Sequence, residues 1–231
     1  MIAVIAAMDK ELTSLLEAIA VSEITTVAEK TFYEGTIGGT PVVVAKSGIG
    51  KVNAAVTAAI LLDRFPIEAL INTGLAGGVS PSKTGDIVVS SGLAYSDVDF
   101  SPVNPELPFG QMEGEPLVIP ADPILLARAE ASLRKASVPY RIGTIVSGDR
   151  FVTSLSELEA VRKNVEGVIA CEMEGMAVAQ TARHFGVPCI IVRGISDVLE
   201  APGQVQDYFA VASAIADKTT RFLLGFLRGN A

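Results

Sequence analysis

Short β-branched runs recur along this sequence and alternate with segments that have the spacing of helices. The runs are "MIAVIAAM", "PVVVAKSG", "EALINTG", "DIVVSSG", "RIGTIVSG", "GVIACE" and "VPCIIVRGIS". The helical segments are "DKELTSLLEAIA", "GKVNAAVTAAILLDRF", "DPILLARAEASLRKA", "SLSELEAVRKN", "EGMAVAQTARHF" and the long closing stretch "VQDYFAVASAIADKTTRFLLGFL". Such alternation implies an α/β sandwich. The runs are almost continuously apolar, so the sheet they build should be covered on both faces. At 231 residues the chain fits one large α/β domain or two small ones.

The same composition narrows what the chain can bind. Apolar residues make up 49% of it and charged residues 19%, and no uncharged apolar run reaches the roughly 18 residues of a membrane span. A soluble protein without membrane contact is expected. The net charge of −8 opposes a phosphate backbone, and no basic stripe with interleaved aromatics is present, so nucleic acid is not the expected partner. A neutral or cationic small molecule fits better. "MIAVIAAM" carries no basic residue ahead of its apolar ones, unlike a secretion signal, which points to the cytoplasm. Cys171 and Cys189 each sit in an apolar run and read as buried free thiols. The single histidine, His184, lies in a helix's last turn with no second ligand at metal spacing, so it reads as a helix-end cation, and no metal or other cofactor is expected.

Boundary signals support the element pattern. Asp122 before Pro123 reads as an N-cap with its first helical residue, and Ser154 three positions before Glu157 as a capping box. The irregular segment 96–120, rich in proline and acids, is long enough to be functional or to lie at an interface.

In α/β sheets, ligands collect where strands end at their carboxyl side. The polar residues there are Glu11, Ser47 to Gly50, the stretch "NTGLAGG", Asp149 with Phe151, the pair Glu172 and Glu174, and Asp197. Neither "GIGK" nor "GLAGG" has the spacing of a phosphate or dinucleotide loop, and their glycines read as tight strand-to-helix turns. Each acid alone could be a helix cap or a surface charge. As a set, without a metal-binding histidine, the acids suit proton transfer, because a carboxyl in an apolar pocket has a raised pKa. Cleavage of a glycosidic bond is one reaction that needs such an acid and such a base.

Taken together, "AAMDKEL", "KSGIGKVNAA", "NTGLAGG", "GDIVVS", "SGDRF", "CEMEG" and "VRGISD" resemble, in order and spacing, the bacterial methylthioadenosine/S-adenosylhomocysteine nucleosidases of the nucleoside phosphorylase superfamily. The resemblance spans the chain. It implies a single domain over residues 1–231, a three-layer αβα sandwich with a central twisted mixed β-sheet, and cleavage by water of the adenine–ribose bond in a 5′-thio-substituted adenosine. It further implies that Asp197 protonates purine N7, that Glu11 positions and deprotonates the water, and that Glu174 binds the ribose hydroxyls with Met173 packed against it. Glu11 and Glu174 would be charged. Phe151 would stack on the base, the Val152 backbone would read its edge, and Ser196 and Arg193 would orient Asp197 and the water site. Met8, Ile49 and Leu75 would be further contacts, with Glu172 in a supporting part.

Departures from the family pattern cluster around the 5′ end and the sugar. Leu75 stands where a small residue is frequent, and Gln206 where an aromatic is frequent, with Tyr208 and Phe209 nearby as replacements. In the 96–120 segment, Leu107, Pro108, Phe109 and Met112 are expected to be exposed and to line that edge. A nucleosidase for futalosine or its 6-amino relative is therefore the alternative substrate reading. A phosphorylase fits less well, since an acid at position 11 would repel phosphate. The resemblance and the exposed loop both suggest a homodimer.

Overall fold

The computed structural model describes residues 1–229, with Asp207 described by its backbone alone. In chain order the elements are β1 (Ile2–Ala6), α1 (Asp9–Ala18), β2 (Ala20–Val27), β3 (Lys30–Ile37), β4 (Thr40–Lys46), α2 (Lys51–Arg64), β5 (Ala69–Gly78) and β6 (Ile87–Tyr95). They continue with β7 (Ile119–Pro120), α3 (Pro123–Lys135), β8 (Tyr140–Ser147), a 3₁₀ turn at Leu155–Leu158, α4 (Glu159–Arg162), β9 (Val168–Glu172), α5 (Gly175–Phe185), β10 (Cys189–Val198) and α6 (Gln204–Leu227). All the expected strands and helices are present, and the class is the α/β layering that the pattern implies.

The sheet is mixed and has ten strands, running β10-β6-β8-β9-β5-β1-β4-β3-β2, with the short β7 paired to β6. β5 also pairs with β10, so β5, β9, β8, β6 and β10 close into a ring with β1, β4, β3 and β2 as a wing. Helices cover both faces. On one side α2 and α5 bury Ala54, Ala58, Leu61, Met176 and Ala177 against Ile5, Leu70 and Ile191. On the other, α1, α3 and α6 bury Leu15, Leu125, Leu133, Phe222 and Phe226 against Val4, Val44 and Val192. This two-sided burial, worth on the order of 1.5–3 kcal/mol for each large side chain, is why the strands are almost uniformly apolar.

The β2–β3 hairpin is absent from the sequence reading. Its turn is made by Ala28 (φ 48°) and Glu29 (φ 62°), a left-handed pair without the glycine or asparagine that normally marks a hairpin. β2 faces solvent and carries threonine and glutamate, while β3 buries Phe32 and Ile37 in the core. The stretch "NTGLAGG" also departs from expectation, since it is the second half of β5 and not a turn. Gly74 is required there by close approach: a Cβ at that position would lie 2.5 Å from Arg193 Nη1 and 2.7 Å from Glu11 Oε1. Asp122 caps α3 by accepting from the amides of Ile124 (3.0 Å) and Leu125 (2.9 Å). Glu157 closes its box by accepting from the Ser154 amide at 3.2 Å. Both cysteines are free thiols.

Candidate active site

The ring closure brings the ends of β5, β9 and β10 together. Gly77 of β5 pairs with Asp197 of β10 on one side and with Cys171 of β9 on the other. The acids at the ends of β9 and β10 therefore face each other across the glycine-lined end of β5. The first turn of α1, the Gly50 start of α2 and the first turns of α6 complete a cavity of about 640 Å³, its open mouth included. Its walls are mainly apolar, as in ligand sites generally.

Glu172, the last residue of β9, is committed to structure. Its carboxylate accepts from the amides of Glu174 (3.0 Å) and Gly175 (2.8 and 2.9 Å), from the Ser147 hydroxyl, and from Arg193 Nη2. An anion at the start of α5 satisfies amides that have no partner within the helix. Arg193 is fully buried and its Nη2 also donates to Asn72 Oδ1 at 2.5 Å and reaches Glu174 Oε2 at 3.5 Å. Burial works against the arginine charge, but Glu172, Glu174 and Glu11 outweigh it and hold its pKa above the ordinary value.

Glu174 has a lighter set of partners. Oε1 accepts from the Gly50 amide at 2.9 Å, and Oε2 faces Arg193. Gly50 can aim its amide there because it holds φ 98°, and a Cβ on it would come within 3.1 Å of Asp149. Burial, and then the like charge of Glu172, push Glu174 up to about 7. Glu11, at the third position of α1, accepts from the amides of Ala7 (3.0 Å) and Met8 (2.9 Å) through Oε2 and from Leu75 (2.9 Å) through Oε1. Its pKa is raised by burial, against the opposing pull of Arg193 and these amides. One arginine thus faces three carboxylates, and burial resists the charged forms of Glu11 and Glu174 that the sequence implies.

At the opposite end, Ser196 Oγ donates to Asp197 Oδ1 at 2.7 Å. Gln204 Nε2 donates both to Asp197 Oδ2 (2.8 Å) and to the Val152 carbonyl (3.0 Å). The loop carrying Val152 is tied to Asp197 through this one amide. Phe151 stands at the mouth, about half exposed, with its ring 5.5 Å from that of Tyr208 in an edge-to-face pair.

A second network holds the rim. Lys51 Nζ donates to both oxygens of Asp97 (2.6 and 2.7 Å), Asp97 Oδ2 accepts from the Asp149 amide (2.8 Å), and Asp149 Oδ1 accepts from the Lys51 amide (2.8 Å). The loop that carries Phe151 is thereby fixed to the same helix start that serves Glu174.

The cavity gathers Met8, Glu11, Ile49, Leu75, Phe151, Val152, Glu172, Met173, Glu174, Ser196 and Asp197. Arg193 is the exception among the expected residues: it lies beneath the cavity, on Glu172 and Asn72, and does not line it. Leu107, Pro108, Phe109 and Met112 do not line this chain's cavity either. Of these, only Met112 is exposed, and Phe109 is half-buried against the Leu158 and Val161 cluster. Gln206 faces solvent, and Tyr208 supplies the aromatic wall. His184 does sit in the last turn of α5, where its Nε2 meets Glu115 Oε1 at 2.8 Å. The sequence reading missed Gln204 and Ser147, and held Asn72 only as part of the stretch "NTGLAGG". Ser147 carried a signal there, as a polar residue closing an apolar run.

The layered fold, with acids converging at the closed end of its sheet, is that of the nucleoside phosphorylases and nucleosidases, and the phosphorylase superfamily model matches residues 1–228. A curated 5′-methylthioadenosine/S-adenosylhomocysteine nucleosidase from Anoxybacillus flavithermus is 42% identical over 199 residues, 85% of each chain. The solved S-adenosylhomocysteine nucleosidase from Streptococcus pyogenes, in complex with 5-methylthiotubericidin, superposes with a TM-score of 0.92 at 34% identity, covering 100% of this chain and 97% of that one. The futalosine hydrolase of Helicobacter pylori superposes at 0.90 with 29% identity, covering 97% of this chain and 96% of that one. The chain belongs to the 5′-methylthioadenosine/S-adenosylhomocysteine nucleosidase family.

Proposed function

We propose that this protein hydrolyses the N-glycosidic bond of 5′-thio-substituted adenosines, methylthioadenosine and S-adenosylhomocysteine, giving adenine and the 5-thio-substituted ribose. The observation that carries this reading is the placement of Asp197 across one apolar cavity from Glu174 and Glu11. Asp197, protonated, gives its proton to purine N7 as the N9–C1′ bonding pair leaves with the base, so adenine departs neutral. The Ser196 hydroxyl can donate or accept and so accommodates both states of the acid. Ionised Glu174 accepts from the ribose hydroxyls and faces the sugar's developing positive charge, an attraction strengthened where water is excluded. Glu11 takes a proton from the water that attacks C1′. Met173 and Ile49 pack on the sugar, and Phe151 and Val152 hold the base.

Phosphate is a poor nucleophile for this cavity. Among the described residues Arg150 is the only cation lining it, and it is paired with Glu157 at 2.9 Å. The substrates named for the Anoxybacillus and Streptococcus relatives support the thio-substituted reading. The likeness to a futalosine hydrolase makes 6-amino-6-deoxyfutalosine the second substrate to try. In this reading the enzyme serves methionine salvage and nucleoside catabolism in the cytoplasm, which its two free thiols suit. It works as a homodimer, for which Ile49, Val52 and Val56 offer an exposed apolar stripe along the start of α2. Equilibrium sedimentation showing a monomer at micromolar concentration would remove the dimer.

The test of the reaction is incubation without phosphate, with free base followed by chromatography. Adenine release from the thio-substituted nucleosides is expected. Release only when phosphate is added would overturn hydrolysis, and release only from the futalosine relative would change the substrate.

A further inference from the structure

Lys10, on the first turn of α1, sits beside the cavity, and among the described residues it has no acidic partner. Its Nζ donates to the Tyr208 hydroxyl at 2.9 Å and stands 4.5 Å from the centre of the same ring. Neighbouring cations are all engaged: Lys46 with Asp9, Lys51 with Asp97, Arg150 with Glu157, and Lys30 with the Ser47 carbonyl and Asn53. Among the described residues Lys10 forms no ion pair. In a chain of net charge −8, a lone ammonium at the rim of an acid-lined cavity is a distinct feature.

Tyr208 itself lines the cavity. It lies one helical turn beyond Gln204, the residue that holds Asp197, so the start of α6 forms a wall leading away from the base end. The Tyr208 hydroxyl accepts from Lys10, while its own proton has, among the described residues, the Met8 sulfur at 3.7 Å. Two further protons remain on the ammonium. The pair therefore presents donors about one carboxylate width apart.

We propose that Lys10 and Tyr208 form a carboxylate subsite that selects 5′-substituents ending in an anion. The inference rests on the reading that the cavity holds a 5′-thio-substituted adenosine. With the purine between Phe151 and Asp197 and the ribose over Glu174, the 5′ carbon points toward Met8, Leu75 and Tyr208, which pack together. A methylthio group ends at that apolar wall. A longer chain passes it and meets the Lys10 ammonium and the Tyr208 hydroxyl, where its carboxylate accepts from both.

The test compares 5′-thioadenosines whose sulfur carries a 2-carboxyethyl or a 2-aminoethyl group, read as the ratio of their kcat/KM values. The wild type is expected to favour the carboxylate. Lys10→Met should reduce the ratio roughly five- to tenfold, the scale of one partly desolvated charge-assisted contact. Lys10→Arg should retain the preference and Lys10→Glu should invert it. An unchanged ratio in Lys10→Met and Lys10→Glu would overturn the subsite. The same ratio, measured as dissociation constants in an Asp197→Asn background, separates this inference from the reaction. If no nucleoside is cleaved by the wild type but the carboxylate analogue binds more tightly through Lys10, the reaction assignment fails and the subsite stands. Equal binding of the two analogues removes the subsite.

Discussion

Arg193 and Glu172 form an ion pair with both side chains out of reach of solvent, and the pair is the floor on which Glu174 rests. Among the described residues, two of the arginine's donor atoms, Nε and Nη1, have no hydrogen-bond partner. Its charge is therefore held chiefly by carboxylates. Removing one partner of such a pair leaves an uncompensated buried charge, which costs about 3–5 kcal/mol.

Glu172→Gln is accordingly expected to destabilise the protein by about 3 kcal/mol, because it also removes an acceptor from the amides at the start of α5. Arg193→Met should cost a similar amount. The double variant should cost less than the sum, since the two residues act as a unit. Urea unfolding of the three variants checks this, and additive losses would mean that the two residues stabilise the fold separately.

Glu174 behaves in the opposite sense. Its carboxyl is raised from 4.5 to about 7 in the folded state, so between those values the folded protein binds more protons than the unfolded chain. The stability that this group leaves intact below pH 4.5 is lost as pH rises through about 7. Glu174→Gln cannot ionise, so at pH 8 it should be more stable than the wild type by roughly 1–3 kcal/mol, with the gap closing toward pH 4.5. It should also lose most activity. Wild-type kcat/KM should rise with pH through the neutral range as Glu174 ionises, a limb absent from the variant's residual rate. Equal stability at pH 8 would show that Glu174 carries no such strain.

Much of this site was legible in the sequence because the acids close apolar runs, and the end of an apolar run is recognisable from composition. Arg193 carried no signal in the residue pattern, and its part was implied by the family resemblance alone. Its place under the cavity, on Glu172 and Asn72, follows from its burial within β10, and a register shift between Ile195 and Asp197 separates it from the acid at the strand's end. Gln204 gave no signal, because its role depends on where the first turn of α6 lands after a Pro-Gly stretch. The closure of β5 on β9 and β10 was also invisible, being a pairing between distant segments with no local pattern of its own.

Gln204 and Asp197 give a sharper test of the acid. Asp197→Asn keeps the shape but supplies no carboxylic proton, and should lower kcat by roughly 10²–10⁴-fold. Gln204→Leu leaves the acid in place but removes its tether, and a loss of about tenfold in kcat/KM is expected. If Gln204 acts only by positioning Asp197, the double variant should be no slower than Asp197→Asn alone. Multiplying losses in steady-state kinetics would instead give Gln204 an independent role at the base.

The Lys51–Asp97–Asp149 network makes a prediction of a different kind, because it touches no reacting atom. It is partly exposed, with side-chain exposures of 21% for Lys51 and 22% for Asp97, so its effect on global stability should be modest, about 1 kcal/mol or less. Its geometric effect should be larger. Asp97→Asn weakens the hold on the Asp149 amide and on Lys51, and so loosens the loop carrying Phe151 and the Gly50 amide that serves Glu174. Loss of Phe151 alone should raise KM, while misplacement of the Gly50 amide should lower kcat through Glu174. If the network fixes both, Asp97→Asn should raise KM by several-fold and also shift the pH limb of kcat/KM upward, as Glu174 loses a donor that favours its charged form. A change in KM with the pH limb unmoved would confine the network to the Phe151 loop.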